Sequence, residues 1–340
     1  MNDAPASDAH FDETLNAWVF SRYADVHAAL HHASIVAHGS SASGRAIHLE
    51  TRRAMADLLS NERISIWRVD MAARATDRVA RLPTAGSFDL VQDLFVPWSR
   101  DVACIVTGIS RELADDLAPL AHDVYLAAAR ATDGRPTASA QQSTALLARA
   151  LAEAPRAYSH LAQVQSFVAL TQSLPATLAN IWHELLHDST QRHALREAAR
   201  RPDPGWPHIV AELLRLAGPA RTIFRYAIDR VTIGAARLNA HDHVVLMITA
   251  ANTDPEYFAA PHRFDFARPP HKPLALGAGA HRCAGAALVQ LAVESISIAL
   301  LHVPMMPSTD KPAAWVGGDA MRGRGEVVAS RESGVLRGEY

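Results

Sequence analysis

The chain has 340 residues, 49% of them hydrophobic and 20% charged, with a net charge of −2. That length carries one large domain or two ordinary ones with a sizeable core, and the near-neutral balance excludes nucleic acid as the main partner. Aromatics are only 6% of the residues and alanine is abundant, which tilts the expectation toward helix. No apolar run is as long as a bilayer span, and the first residues, Met1 to Glu13, are polar and acidic rather than a basic flank with an apolar stretch. The expectation is a cytoplasmic protein with no membrane attachment, and with no disulfide between its two cysteines, Cys104 and Cys283.

In chain order, Trp18-Val19-Phe20 reads as a short strand running into a helix that ends near Leu30. A polar loop of small residues follows from His38 to Ala46. Apolar residues at three- and four-residue spacing predict helix from His48 to Leu82. Further helices are expected over Phe88 to Ile109 and Leu113 to Arg130, the second stopped by Asp133-Gly134-Arg135-Pro136. Cys104 lies in the first of these, among Val102, Ala103, Ile105 and Val106, and reads as a buried core thiol. Ser143 to Ala154 is helical and Pro155 stops it. The long apolar run Val164 to Leu186 contains Pro175, which should kink it. Ile209 to Leu216 is a short helix, and Ile223 to Met247 alternates like strands with a turn near Gly234. Phe258 to Gly285 is rich in proline and glycine and should be irregular, and Ala286 to Leu301 is again a helix. The organisation is mainly α with a small β region: a polar tail over 1–14, then a single domain over 15–340.

The most informative segment is Leu276-Gly277-Ala278-Gly279-Ala280-His281-Arg282-Cys283-Ala284-Gly285, which feeds the last helix. Gly277, Gly279 and Gly285 let the backbone bend tightly and approach a flat ligand. A helix N-terminus directs N–H groups at the sulfur, which favours thiolate over thiol. One thiolate without further Cys or His at zinc spacing suits a haem iron better than a four-ligand metal site. This segment resembles the signature of the cytochrome P450 family, Phe-x-x-Gly-x-His-x-Cys-x-Gly. Gly279, His281, Cys283 and Gly285 are in register, and Leu276 replaces the phenylalanine.

The resemblance extends upstream. Glu212-Leu213-Leu214-Arg215 is similar to the family's Glu-x-x-Arg, whose spacing puts acid and base on one helix face. Pro261-His262-Arg263-Phe264 is similar to the segment whose arginine, here Arg263, completes a Glu-Arg-Arg cluster. Arg225, Ala251-Asn252-Thr253-Asp254-Pro255 and Phe258 follow the bacterial pattern. His48-x-x-x-Arg52 resembles the helix that crosses one haem face. The resemblance implies the P450 fold, haem b (iron protoporphyrin IX) as cofactor, and Cys283 as the iron's thiolate ligand. His48, Arg52, Arg225 and His281 would bond the two propionates, which need cationic or donor partners when buried. It also implies a monooxygenase that tailors a small-molecule or carrier-tethered specialised metabolite. Electrons would come from a separate ferredoxin and its reductase, docking on the Cys283 side near Arg282 and Lys272.

Two departures bear on activity. At the family's Ala-Gly-x-Asp/Glu-Thr position stand Ala169-Leu170-Thr171-Gln172-Ser173, so the catalytic acid and alcohol become Gln172 and Ser173. A glutamine cannot release a proton, which leaves open peroxide use, a non-oxidative haem reaction, or haem binding without turnover. The segment before Trp18 lacks the family's leading helix, and the connection from Leu30 to His48 is brief, which implies an open distal pocket. A competing motif, His183-Glu184-Leu185-Leu186-His187, fits the zinc-peptidase pattern, with His193 where a third ligand would sit. With 18 histidines in the chain and a collinear match elsewhere, this is the remote alternative.

Overall fold

The computed structural model describes residues 6–37, 42–130, 137–152, 160–308 and 313–331, with the side chains of 42–48, 51, 160 and 161 left aside. Mainly α with a small β region is the architecture observed. Strand β1 (His10–Asp12) pairs antiparallel with β2 (Ala17–Phe20), so part of the 1–14 tail is built into a sheet. Helix α1 (Tyr23–His31) and strand β3 (Ile35–Val36) follow. The run expected as one helix from His48 to Leu82 is two: α2 (Ala42–Leu58) and α3 (Asn61–Ala80). Ser60 divides them, because its hydroxyl caps α3 by accepting from the Arg63 N–H.

Phe88 is not helical but lies in β4 (Ser87–Asp89). A π-helical turn, Leu90–Phe95, leads from it into α4 (Val96–Thr107), which ends at Gly108 with φ 78°. Cys104 is half-buried there, its thiol donating to the Ser110 carbonyl at 3.6 Å. After α5 (Arg111–Arg130) and α6 (Ala138–Leu151) comes the long apolar run. It forms α7 (His160–Val168), a second π-helical turn (Ala169–Ser173) and α8 (Leu174–His187).

Both π-helical turns end two residues before a proline, Pro97 and Pro175. A proline ring clashes with the carbonyl four residues back and offers no N–H to it. Widening the preceding turn by one residue relieves that conflict without breaking the helix. The Leu174 N–H bonds the Ala169 carbonyl, five residues back. The expected kink is therefore a bulge upstream of Pro175.

Helix α9 (Ser189–Ala199) escapes the sequence patterning because it is polar, with only Gln191, Arg192, Leu195 and Ala198 buried. Asp188 starts it by accepting from the N–H groups of Thr190 and Gln191. Helix α10 (Trp206–Ala217) precedes strands β5 (Thr222–Ala227), β6 (Val231–Ile233), β7 (Ala236–Leu238) and β8 (His243–Met247). The turn at Gly234 joins β6 to β7. The main sheet runs β1-β2-β8-β5-β3, with β2 and β8 parallel. Short α11 (Ile248–Asn252) leads into the irregular stretch, and α12 (Ala286–Leu301) has the expected bounds. The remaining strands are β9 (Met305–Pro307), β10 (Trp315–Gly317), β11 (Arg322–Arg324) and β12 (Val328–Arg331). One core gathers α3, α4, α8, α10 and α12 around Trp98, Trp182 and Phe167, and a second seals α1 against the sheet around Phe20 and Phe258. No described helix is long and apolar enough to cross a membrane.

Candidate functional site

The Cys283 loop is shaped by its glycines. Gly277 and Gly279 both take positive φ, 67° and 63°. The Gly277 N–H bonds the Leu274 carbonyl at 2.8 Å, and the Cys283 N–H reaches back to the Leu276 carbonyl at 2.7 Å, closing the bend. Gly279 packs directly on the end of α1, where any side chain would collide with the Leu30 carbonyl. Gly285 adjoins the sulfur: a Cβ there would stand 3.9 Å from Cys283 Sγ and 3.9 Å from Leu59 Cδ1. The loop is thus clamped between α1 on one side and the end of α2 on the other.

Arg52 reaches this loop from α2, donating from Nη1 to the Arg282 carbonyl at 2.7 Å. His281 lies in a short 3-10 turn of the same loop, half-buried. His48 is in α2, one turn before Arg52, but its side chain lies outside the described residues. Arg225 is held apart on β5, where its Nη1 donates to the Phe224 carbonyl at 2.8 Å. Burial pushes its guanidinium down to about 10. No carboxylate among the described residues offsets that penalty.

The thiol itself corrects the sequence expectation. Burial raises the Cys283 thiol above its ordinary value, and the Gly285 N–H, Arg282 and Arg52, which all favour thiolate, do not overcome it. The helix terminus and glycine loop alone do not ionise this sulfur. Coordination to a metal would, because a coordinating thiol is deprotonated outright. The donor set fits a haem: one half-buried sulfur, two arginines engaged only by carbonyls among the described residues, and a loop with no side chain beside the sulfur at Gly285.

The Glu212 cluster is assembled differently from the expectation. Arg215 holds Glu212 with both ends of its guanidinium, at 2.8 Å and 2.9 Å, and also donates to the carbonyls of Asn252, Pro261 and Arg263. The Arg263 side chain is exposed. The second arginine is Arg268, buried, with Nε 3.4 Å from Glu212 Oε1. His271 Nε2 stands 3.2 Å from Glu212 Oε2. Burial alternates along this irregular stretch: Phe264, Phe266 and Arg268 turn inward while Arg263, Asp265 and Ala267 turn out. That period of two was the signal available for Arg268. Burial alone would raise Glu212, but His271, Arg215 and the Asp265 N–H together hold it down at about 2. The carbonyls that Arg215 binds belong to the segment leading to the Cys283 loop. Asn252 Oδ1 accepts the Leu274 N–H at 2.8 Å two residues before Leu276. The cluster is thus the frame on which the sulfur loop hangs.

In the π-helical turn, Gln172 Oε1 lies 3.0 Å from His122 Nδ1 of α5, and Gln172 Nε2 lies 3.4 Å from Thr171 Oγ1. His122 had no sequence signal. Ser173 keeps its hydroxyl half-buried while its carbonyl accepts from Thr177 Oγ1 at 2.8 Å. Leu170 is buried. A cavity of about 480 Å³ opens beside Gln172, with His122, Tyr125 and Arg324 on its wall. It shares no residue with the Cys283 loop.

The zinc-peptidase motif does not assemble. Helix α8 ends at His187, and His193 belongs to α9. His187 Nδ1 lies 2.8 Å from the His183 carbonyl. Among the described residues no group of three or more His, Cys, Asp or Glu is placed to hold a metal ion. His183 instead packs inside, with Nδ1 buried and unpartnered. Burial first, then Arg324 and His187, lowers it to about 4. The neutral imidazole is the native form. Its contribution is full above about pH 6.5 and is lost as pH falls toward 4, on the order of 3 kcal/mol. Urea unfolding of the wild type and His183→Leu between these pH values should show the wild type losing that increment and the variant losing much less. Equal slopes would refute this placement.

Residues 206–303 match the Cytochrome P450 family model. The 6-deoxyerythronolide B hydroxylase of Saccharopolyspora erythraea is 35% identical over 139 residues, which are 41% of this chain and 31% of that protein. Cytochrome P450 130 of Mycobacterium tuberculosis is 25% identical over 301 residues, 81% of this chain and 74% of that one. The crystal structure of P450BioI in complex with a hexadec-9Z-enoic acid ligated acyl carrier protein superposes with a TM-score of 0.77 at 18% identity, covering 93% of this chain and 92% of that one. The chain spans only 20% to 31% of the curated relatives it matches at 35% identity or more.

Proposed function

Starting from a chain that belongs to the cytochrome P450 family, we propose that it is a haem-thiolate monooxygenase with haem b at Cys283. The observation that carries this is the Cys283 loop, clamped between α1 and α2 with Arg52 bound to its Arg282 carbonyl. Haem, when bound, supplies the oxygen activation and the transfer of hydroxyl to substrate. Cys283 supplies the sulfur ligand, and Gly285 leaves room beside it. Arg52, Arg225, His281 and His48 neutralise the propionates; for Arg225 this offsets a burial penalty that no described carboxylate relieves. Ser173 holds a hydroxyl in the π-helical turn, able to donate and accept one proton at Oγ. Gln172 orients but does not ionise.

The substrate class is a specialised metabolite, free or carrier-tethered. Supporting it are the relative named as a hydroxylase and the P450BioI structure that holds an acyl carrier protein. Electrons come from a separate ferredoxin-type donor. A second reading, peroxide as the oxidant, is favoured by one observation: Gln172 replaces the acid and its partner is His122. The two separate in a turnover assay of the haem-loaded chain with a substrate panel. Dioxygen with a ferredoxin and its reductase should give product, and Gln172→Glu should raise product formed per electron by about tenfold, a fraction of a general acid's usual contribution. Product with peroxide alone, unchanged by Gln172→Glu, selects the second reading. No product with either oxidant sinks both.

A further inference from the structure

Behind the sulfur loop, on the side of α1 and α10, lies a second cavity of about 510 Å³. Its volume is in the range of small-molecule sites. Its wall carries His27 and His31 of α1, His208 of α10, Lys272 of the irregular stretch and Arg282 of the sulfur loop, and no carboxylate among the described lining residues. A smaller recess lined by Tyr23, Tyr257, His27 and Lys272 continues it.

These basic groups are not neutralised from within. Neither Lys272 nor Arg282 makes a described ion pair. His27 and His31 stand one turn apart with ring centroids 4.2 Å from each other, and His31 Nδ1 lies 2.8 Å from the His27 carbonyl. His208 meets the edge of His271 with ring centroids 5.9 Å apart. Glu212 faces this wall through His271, which also lines the cavity, and is already held by Arg215 and Arg268. A concave wall of one sign focuses the field on whatever enters. Protonating both α1 imidazoles would place two like charges within one turn, which an anion between them would relieve. His27 already shows this crowding: burial first, then His31 and Lys272, disfavour its charged form.

We propose that this cavity is a binding site for a small multivalent anion, held by the permanent charges of Lys272 and Arg282 and by the protonated imidazoles of His27, His31 and His208. Binding therefore takes up protons and strengthens as pH falls through the histidine range. The site owes nothing to iron ligation, so it stands or falls apart from the haem reading.

The test is calorimetric titration of the haem-loaded chain with pyrophosphate and with citrate at about pH 6 and about pH 8, in buffers of different ionisation enthalpy. The expected result is binding about tenfold or more tighter at the lower pH, with net proton uptake, for at least one of the two anions. A preference for pyrophosphate identifies a phosphoryl ligand and a preference for citrate a carboxylate ligand. Lys272→Gln and His27→Gln should each weaken binding at least about fivefold at the lower pH, while Arg237→Gln, on exposed β7, should leave it unchanged. No binding at the lower pH, equal affinity at both, or an equal loss in Arg237→Gln overturns the proposal. The carbon monoxide spectrum of the same samples reports separately on the haem.

Discussion

Cys283→Ser is expected to abolish the long-wavelength Soret band that thiolate-ligated haem gives when reduced and exposed to carbon monoxide. The reason is electronic. A thiolate pushes charge onto the iron, and a hydroxyl in its place does not. The thiol is raised by burial in the protein as folded, so only the metal can hold it ionised, and removing sulfur leaves nothing to replace that donation. The serine variant should still fold, because the loop is closed by backbone bonds from Gly277 and Cys283 and not by the side chain. The reading is refuted if wild-type protein takes up no haem, or if the serine variant keeps the wild-type spectrum. Matching far-ultraviolet circular dichroism of the two proteins separates loss of ligation from loss of fold.

Arg268→Ala is expected to destabilise the chain by about 2 kcal/mol, and Arg263→Ala by no more than about 0.5 kcal/mol. Arg268 is buried against Glu212, whereas Arg263 offers the cluster only its backbone carbonyl. Glu212→Gln should cost more, about 3 to 5 kcal/mol, because it leaves two buried guanidiniums facing each other without a counter-charge. Urea midpoints of the three variants check the order. Equal losses in Arg263→Ala and Arg268→Ala would return the third place in the cluster to Arg263. The pH dependence has a definite sign. Glu212 is held at about 2 in the folded chain, below its unfolded value of about 4.3. Its contribution is present above about pH 4.3 and is lost as pH falls toward 2. Glu212→Gln should flatten that limb.

These two residues also show where the sequence stopped being readable. Glu212 and Arg215 are three apart on one helix, and their pairing follows from helix geometry with no tertiary information. Arg268 joins them from 53 residues beyond Arg215, by register in an irregular stretch. A family-style reading of Pro261 to Phe264 pointed to the wrong arginine because it weighed spacing to the proline and not which residues turn inward. The same limit explains α9. A polar helix whose buried face is Gln191, Arg192, Leu195 and Ala198 carries little hydrophobic contrast, so only its packing reveals it.

Local chemistry written into the chain was enough to specify the mainly α architecture, the bounds of α12, the turn at Gly234 and the glycine-lined bend before Cys283. Each depends on residues within a few positions of one another. Tertiary structure alone decided that Gln172 meets His122, that Arg268 and not Arg263 faces Glu212, that the conflict at Pro175 is absorbed by a π-helical turn upstream, and that His183 is interior. It also reversed the sign for the sulfur. A helix terminus and nearby arginines act over short range in sequence, but the burial that outweighs them is imposed by every element packed around the loop, and desolvation has no local signature.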